Sequence, residues 1–344
     1  MEILILDIEF ASDECVSGEF IEGNLIFNLP SSIPPETTLN ISLTLLGREV
    51  IIKNPDTKVN ETTFVDDTFS LSLITQEETS NYNKTFIIST PKNLPCTFTF
   101  TDNKMTAYIE YFISANLVLN NETFTIKKSI NVLTSLSPLW SERYFFSDTG
   151  EVGCTCCMIC CFLCCEKYLT KLEVVIAREA LLGDPKIPLV VNIDNTLCTN
   201  SIKKIEFNFS RLVMFMNESN KILYSKRQHI ASFEGPLEVN AKDKRRDVVL
   251  SIPLICGDKY LLKEPTVYSR YIICEYQLEA KVTYGSGCWL CCNNGPRLLI
   301  PFPVIEQKKV TEEIGPVEKK GIDLVLNAAN IADPYQVMKI TSKY

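Results

Sequence analysis

The sequence predicts an all-β fold made of antiparallel sheets packed face to face. Apolar and polar residues alternate along most of the 344-residue chain, which is the period of a strand with one buried face. Asn-, Gly- and Pro-rich turns separate these segments, and no segment before the C-terminal tail has the apolar spacing of a helix. The buried faces are predicted at Leu4, Leu6, Ile8 and Phe10; Leu39, Ile41, Leu43 and Leu45; Ile187, Leu189, Val191 and Ile193; Ile205, Phe207 and Phe209; Val248, Leu250, Ile252 and Leu254; and Tyr276, Leu278, Ala280, Val282 and Tyr284.

A faint internal repeat predicts two sandwiches built on one plan. Gly18 precedes an acidic residue and an apolar strand, and so does Gly183. A Glu-Tyr pair followed by Ala four residues after the Tyr occurs at Tyr111 and again at Tyr276, with the same offset of 165 residues. We therefore expect an N-terminal domain over residues 1–136, a C-terminal domain over 137–308 and a flexible tail, rich in Lys, Glu and Gly, over 309–344.

The bulk composition favours a cytosolic globular protein. A net charge of −8 argues against nucleic acid as the main partner. The N-terminus lacks the basic start and apolar stretch of a signal peptide. The most apolar run, residues 156–165, is ten residues long, far below the roughly 20 needed for a membrane-spanning helix. Disulfides are rare in the cytosol, and the chain's Asn-x-Ser/Thr triplets are then accidental.

Ten of the fifteen cysteines lie in two short runs, Cys154–Cys165 and Cys288–Cys292. A core can use Val or Ile where it needs small apolar side chains, so this density points to thiol chemistry. Cys-x-x-Cys spacing lets two thiolates bind one ion, and two such pairs would complete a tetrahedral zinc site. The candidate metal ligands are Cys154, Cys157, Cys161, Cys164, Cys288 and Cys291.

Three other interpretations of the cysteine runs stay open. Apolar residues between the thiols suit a membrane interface, where acylating several thiols gives a stable anchor. The residues for this membrane-facing or acylated role are Cys160, Cys165, Cys292, Phe162, Leu163, Trp289 and Leu290. The remaining interpretations are buried free thiols that pack as small apolar side chains, and a disulfide staple, which the expected compartment disfavours.

Several segments, in order and spacing, resemble the arrestin fold, and most closely the α-arrestins (arrestin-domain-containing proteins). The resemblance covers residues 1 to about 308. The segments that carry it are Ser17–Leu29, Leu39–Gly47, Asn93–Phe98 and Ala107–Ile113 in the first half, and Leu182–Asn195, Ile273–Val282 and Pro301–Ile305 in the second.

The resemblance implies a non-enzymatic adaptor that binds cytoplasmic tails of membrane proteins and links them to trafficking or clathrin-adaptor machinery. It implies a cytoplasmic protein peripherally associated with the plasma or endosomal membrane. The Pro-Pro-x-Tyr motif common in α-arrestins is missing, because Pro34-Pro35 is followed by Glu-Thr, and residues 1–10 contain no Lys or Arg for phosphate sensing. The alternatives are a retromer-like coat subunit of arrestin fold and a Cys-rich metal-binding or redox protein.

The resemblance also implies a place for the two cysteine runs. In the arrestin plan, two loops lie side by side at the far tip of the second domain and can dip into the membrane. Cys154–Cys165 and Cys288–Cys292 occupy the corresponding positions. A zinc-stapled tip could also contact lipid.

Two smaller motifs point to membrane traffic. Lys242, Lys244, Arg245 and Arg246 form a basic run that could contact inositol phosphates or anionic lipid, although a solvated loop of mixed charge is the simpler interpretation. Tyr335-x-x-Met338 in the tail fits a Tyr-x-x-apolar sorting signal, which binds as an extended strand. Nearby, Ile322–Leu326 fits either a short strand that returns to a sheet edge or a weak clathrin-type peptide, and the strand is the preferred interpretation.

Catalysis has little support in the sequence. His229 is the one histidine, in a polar stretch interpreted as an exposed loop. There is no Gly-rich phosphate loop, and no base is evident that would activate a cysteine nucleophile.

Overall fold

The computed structural model describes residues 5–29, 34, 37–53, 57–75, 81–119, 122–133, 144–152, 168–176, 180–198, 200–284, 295–306 and 325–327. The regular elements within these ranges are all β-strands, and no helix occurs among them. The all-β prediction is therefore confirmed. The described residues therefore include no long apolar helix that could cross a bilayer.

The strands follow the alternation predicted from the sequence. In the N-terminal unit (residues 5–133) they are β1 Ile5–Phe10, β2 Glu14–Val16, β3 Phe20–Asn28, β4 Thr38–Lys53, β5 Thr57–Ile74, β6 Asn81–Ser89, β7 Phe98–Thr101, β8 Met105–Leu119 and β9 Glu122–Leu133.

The C-terminal unit (residues 144–306) contains the next strands along the chain, and one further strand lies in the tail. They are β10 Tyr144–Val152, β11 Tyr168–Ile176, β12 Ala180–Leu181, β13 Lys186–Leu197, β14 Ile202–Met216, β15 Ile222–Gly235, β16 Lys244–Pro253, β17 Ile255–Cys256, β18 Lys259–Tyr260, β19 Val267–Tyr268, β20 Ile272–Tyr284, β21 Arg297–Phe302, β22 Val304–Ile305 and, in the tail, β23 Val325–Asn327.

The sheets of the N-terminal unit have one buried face each. One sheet has the strand order β1-β3-β6, and the other has the order β2-β9-β8-β4-β5, with β7 paired to β8. The inward side chains of both sheets contribute to a single cluster of buried apolar residues, as expected for a β-sandwich. From β4 this cluster receives Leu39, Ile41, Leu43 and Leu45, as the alternation predicted.

The C-terminal unit repeats this strand plan. Its sheets have the orders β10-β11-β13-β16 and β15-β14-β20, with both β19 and β21 paired to β20. β11-β13-β16 thus corresponds to β1-β3-β6, and the pairing of β20 with β14, β19 and β21 corresponds to that of β8 with β4, β7 and β9. The short parallel pair of β2 and β9 in the N-terminal unit corresponds to the short parallel pair of β12 and β22 in the C-terminal unit.

The residues of the predicted repeat occupy equivalent places in this plan. Gly18 and Gly183 have positive φ angles of 87° and 90° in the turns that lead into β3 and β13, a conformation that glycine adopts without steric cost. Tyr111 and Tyr276 lie in β8 and β20 and are buried. The weak sequence repeat therefore reflects a repeated topology.

The two units contact each other through polar and aromatic side chains. Asn60 Nδ2 donates a hydrogen bond to the Met216 carbonyl at 2.9 Å, and the Tyr224 hydroxyl donates to Asp102 Oδ2 at 2.5 Å. The rings of Phe100 and Tyr224 lie 5.9 Å apart between centroids. These contacts join β5 and the turn between β7 and β8 to β14 and β15.

Part of the tail forms a strand. Val325–Asn327 pairs in parallel with Ile87–Ser89 of β6. The return of the tail to a sheet edge, expected for Ile322–Leu326, is confirmed at Val325 and Leu326, and the strand Val325–Asn327 departs from the flexible tail expected there. The rest of the tail, with Tyr335 and Met338, lies outside the described residues, as do Leu4 and the junction between the two units at residues 134–143.

Candidate functional site

The predicted basic run borders a groove on the C-terminal unit. Lys244, Arg245 and Arg246 begin β16, so they belong to a strand and not to the loop of the simpler interpretation. The groove encloses about 420 Å³ next to β11, β13 and β16. It is lined by Lys171, Glu173, Asn192, Ile193, Asp194, Lys244, Arg245, Arg246 and Asp247.

Asn195 fixes the turn that leads into the basic run. Its side chain is fully buried and accepts a hydrogen bond from the Thr170 hydroxyl at 2.7 Å. The Asn195 amide donates to the carbonyls of Asn200 and Asn240 at 2.8 and 3.1 Å, and its backbone N–H donates to the Asp243 carbonyl at 3.0 Å. One buried amide thus satisfies several turn carbonyls that would otherwise be unpaired.

Lys242 is separated from the other three basic residues. It lies in the turn with a φ of 60°, and its N–H donates to the Cys198 carbonyl at 2.9 Å. Its side chain does not line the groove. Of the four residues predicted to bind phosphate or anionic lipid, three are therefore brought together.

A β-bulge sets the direction of the strand beside the groove. Arg245 pairs with Ile193 and Val248 pairs with Val191, so two residues of β16 lie opposite Asn192 alone. At the bulge Asp247 adopts a left-handed backbone conformation with a φ of 52°, and its N–H donates to Asn192 Oδ1 at 2.7 Å. A bulge of this kind re-aims the side chains next to it.

The groove carries charges of both signs. Lys171 Nζ and Glu173 Oε1 form an ion pair at 2.5 Å. The Thr196 hydroxyl and N–H both donate to Asp194 and hold the pKa of this carboxyl below its usual value, with Lys244 among the positive charges that add to the effect.

The chemistry of the groove follows from this balance. Four cationic and three anionic side chains line it, so its net charge is slightly positive. Such a site attracts anions at its exposed basic rim, while the half-buried carboxylates of Glu173 and Asp194 oppose deep entry of a phosphate group. The role in binding phosphate or anionic lipid stays a prediction.

The cysteine runs and their neighbours lie outside the described residues. This applies to every predicted metal ligand and membrane-facing residue: Cys154, Cys157, Cys160, Cys161, Phe162, Leu163, Cys164, Cys165, Cys288, Trp289, Leu290, Cys291 and Cys292. Within the described part of the chain, no group of three or more His, Cys, Asp or Glu side chains could hold a metal ion.

The strands that flank the two runs lie close together. Val152 ends β10 opposite Tyr168, the first residue of β11, and these two residues bracket the first run. Arg297 begins β21 just after the second run, and its N–H donates to Asp148 Oδ2 of β10 at 2.9 Å. The described flanks of both runs are therefore at neighbouring strands of the C-terminal unit.

An exposed apolar pair lies at the same strand ends. Leu169 of β11 is opposite Leu197 of β13, and the two side chains are 37% and 67% exposed. Single exposed leucines are ordinary, but these two are cross-strand neighbours next to the first cysteine run.

His229 lies in strand β15 and not in a loop. It is exposed, and its ring nitrogen Nε2 lies 3.2 Å from the Ser232 hydroxyl.

Neither a family model nor a curated protein sequence matches this chain.

Sequence reasoning missed several residues that shape the groove. Lys171, Glu173 and Asp194 come from β11 and β13, two strands that precede the basic run by more than 40 residues. Alternation along those strands predicts that these side chains point away from the core, but not that they approach β16. Asn195 could have been suspected, because an amide at the end of an apolar strand often caps a turn.

Proposed function

We propose that the protein is an arrestin-like adaptor that binds cytoplasmic parts of membrane cargo and links them to trafficking machinery. What supports the proposal most is the repeated strand plan of the two units, together with the arrestin-like order of sequence segments. In this proposal the units are two tandem arrestin-type domains, residues 1–136 and 137–308. The protein acts by binding, through sheet faces and edges.

Contact with a membrane surface is part of this proposal. The exposed pair Leu169 and Leu197, next to the first cysteine run, supports it, because apolar side chains beside anchoring groups favour an interface. The basic rim formed by Lys244, Arg245 and Arg246 would add electrostatic attraction to anionic lipid of about 1 kcal/mol per charge. The cysteine runs would supply either zinc ligands that brace this end or acylated thiols that anchor it.

Proximity labelling in living cells tests the adaptor proposal. The intact chain carries the labelling enzyme, and an unrelated cytosolic β-protein with the same enzyme serves as the control. We expect enrichment of integral membrane proteins, labelled on their cytoplasmic segments, together with trafficking proteins. Labelling no different from the control would overturn the proposal. Co-purification of the chain in stoichiometric amounts with one large helical partner would instead identify a coat subunit.

A further inference from the structure

A carboxyl group is buried at the contact between the two units. Glu49 lies on β4 in the same alternating row as the core residues Leu43 and Leu45, two positions beyond Gly47. Its side chain is fully buried, with 0% exposure. A carboxylate in such a position costs free energy unless it is paired.

The partner of Glu49 is a turn of the C-terminal unit. The Tyr271 N–H donates to Glu49 Oε1 at 2.7 Å, and Tyr271 itself is 2% exposed. The turn is closed by the Ser269 N–H, which donates to the Ile272 carbonyl at 2.9 Å. The Tyr271 carbonyl in turn accepts the Met216 N–H at 2.9 Å. The carboxyl therefore joins β4 to the segment that enters β20.

The second oxygen of the carboxyl has no hydrogen-bond partner among the described residues. Glu49 Oε2 is buried and unpaired within that part of the chain. An ionised carboxylate has two acceptor oxygens to satisfy, so this environment provides for only part of the charge. A neutral carboxyl group is less costly to bury.

Among the described residues, the charge that acts on Glu49 comes from its partner turn. The guanidinium of Arg270, in the same turn, attracts the carboxylate. The cross-strand neighbours on β5 and β8 are Thr62 and Ile109, which do not titrate. Arg48 is adjacent on the strand and therefore points to the opposite face, where it pairs with Glu61 and Glu110.

Burial raises the pKa of Glu49 to about 7. The N–H groups of Tyr271 and Ile272, the Ser269 hydroxyl and the charge of Arg270 oppose this rise in pKa without cancelling it. Glu49 therefore changes charge near neutral pH while the units are in contact.

We propose that Glu49 is a proton-sensitive latch between the two units: the protonated carboxyl holds the contact with the Tyr271 turn, and ionisation loosens it. When the units separate at this point, the carboxyl reaches water and its pKa returns to an ordinary value near 4.5. Below that pH the group is neutral in both states, and the contact is strongest. As pH rises from about 4.5 to about 7, the open state binds fewer protons than the closed state, so rising pH favours opening. Above about 7 the group is ionised in both states, and the effect is complete.

Hydrogen exchange of the Tyr271 amide in the intact chain tests the latch. This N–H is the donor to Glu49, so its protection reports the contact itself. After correction for the pH dependence of intrinsic exchange, we expect the opening constant at Tyr271 to rise about two orders of magnitude between pH 5 and pH 8. While Glu49 is ionised only in the open state, each increase of one pH unit raises the opening constant tenfold. The core amides of Ile113 and Phe207 should not follow this rise, because they lie inside the two units.

The variant Glu49→Gln keeps an acceptor for the Tyr271 N–H and removes the titration. We expect an opening constant that no longer depends on pH and stays near the acidic value of the native chain. Glu238→Gln, which neutralises an exposed carboxylate, should behave as the native chain does.

Two results would overturn the proposal. One is a flat Tyr271 profile in the native chain, a measurement that does not depend on how the variant folds. The other is a pH dependence in a folded Glu49→Gln variant that matches the native one. A carboxyl-carbon NMR titration of Glu49 provides an independent measurement, and a midpoint at or below 4.5 would also exclude the latch.

Discussion

Tyr111 and Tyr276 make the same hydrogen bond in the two units. Tyr111 donates its hydroxyl to the Pro95 carbonyl at 2.6 Å, and Tyr276 donates to the Glu264 carbonyl at 2.8 Å. Both rings are 1% exposed. In each unit the bond ties a central strand to the segment that precedes the short strand, β7 or β19, on the same sheet edge.

Replacing either tyrosine by Phe should destabilise the protein. The ring stays buried, but a backbone carbonyl loses its donor, which costs about 1–3 kcal/mol. Urea unfolding of Tyr111→Phe and Tyr276→Phe measures this loss. Tyr260→Phe, at a 50% exposed position, is the matched control and should leave the free energy of unfolding unchanged. Equal stability of all three variants would show that the two hydroxyls contribute nothing.

The alternation of apolar residues was enough to predict the fold class and most of the buried faces, although Leu6, Phe10 and Val248 are only half-buried. Ile187, Leu189, Val191 and Ile193 are all buried, as are Ile205, Phe207 and Phe209. In a sheet with one buried face, the period of two fixes which side chains are inside. The residues that build close approaches were not predictable in this way. Gly47 lies opposite Tyr111, and a Cβ there would come within 2.4 Å of the Tyr111 ring.

The contact between the units could not be predicted from the sequence. Glu49 continues the inward row of Leu43 and Leu45 on β4, but its place in that row does not indicate what its carboxyl contacts. Its partner Tyr271 is more than 200 residues away in the chain. Local patterns report the environment of a strand, but pairings at this separation depend on how the two units pack.

Removing charge from the rim of the groove should weaken binding to anionic vesicles. For Lys244→Ala, Arg245→Ala and Arg246→Ala combined, we expect a loss of about 1 kcal/mol per charge near the surface. Sedimentation with phosphatidylserine-containing vesicles measures the partition, and its decrease with added salt checks the electrostatic origin.

Two further variants sharpen the vesicle experiment. Asp194→Asn removes a carboxylate from the groove and should strengthen binding. Lys281→Ala removes an exposed charge from β20, away from the groove lining, and should have little effect. If Lys281→Ala weakens binding as much per charge as the rim variants do, the groove has no special role. Competition by a soluble polyphosphate would indicate a phosphate ligand in place of a lipid surface.

The intact mass of the native protein distinguishes the chemistries of the cysteine runs. A mass excess of one or two zinc ions, lost on acidification, is expected if the thiols ligate metal, because metal binding requires thiolates. An excess in steps of an acyl chain, removed by hydroxylamine, is expected if they anchor the protein. The measurement uses protein purified from its own cells without chelator. The bare mass would contradict both.

A triple variant extends this test to stability. If Cys288, Cys291 and Cys292 ligate zinc, replacing all three by Ser should lower the melting temperature by more than a few degrees, since metal binding contributes to folding. If they carry lipid, melting should be unchanged and membrane association lost. No change in either property would contradict both roles.

Asp102 should make the contact between the units weaker in acid, the reverse of the effect of Glu49. Although burial opposes it, hydrogen bonds from the Tyr224 hydroxyl and from the N–H groups of Lys104 and Met105 hold the pKa of Asp102 well below its usual value. A lowered pKa stabilises the folded protein above the unfolded value of 3.8, and this stabilisation is lost as pH falls below it.

Asp102→Asn tests this sign. At pH 7 we expect the variant to be less stable by about 1–3 kcal/mol, because charge-assisted hydrogen bonds are lost. The deficit should shrink as the pH falls below 3.8, because the carboxyl of the unfolded chain takes up a proton there while that of the folded chain stays ionised. Urea unfolding between pH 3 and pH 7 measures it, with Asp258→Asn, at an exposed position, as the control. A deficit of the same size at pH 3 would mean that Asp102 acts through its shape and not through its charge. The opposite signs at Glu49 and Asp102 then predict a contact between the units that is most stable in the mildly acidic range between the two titrations.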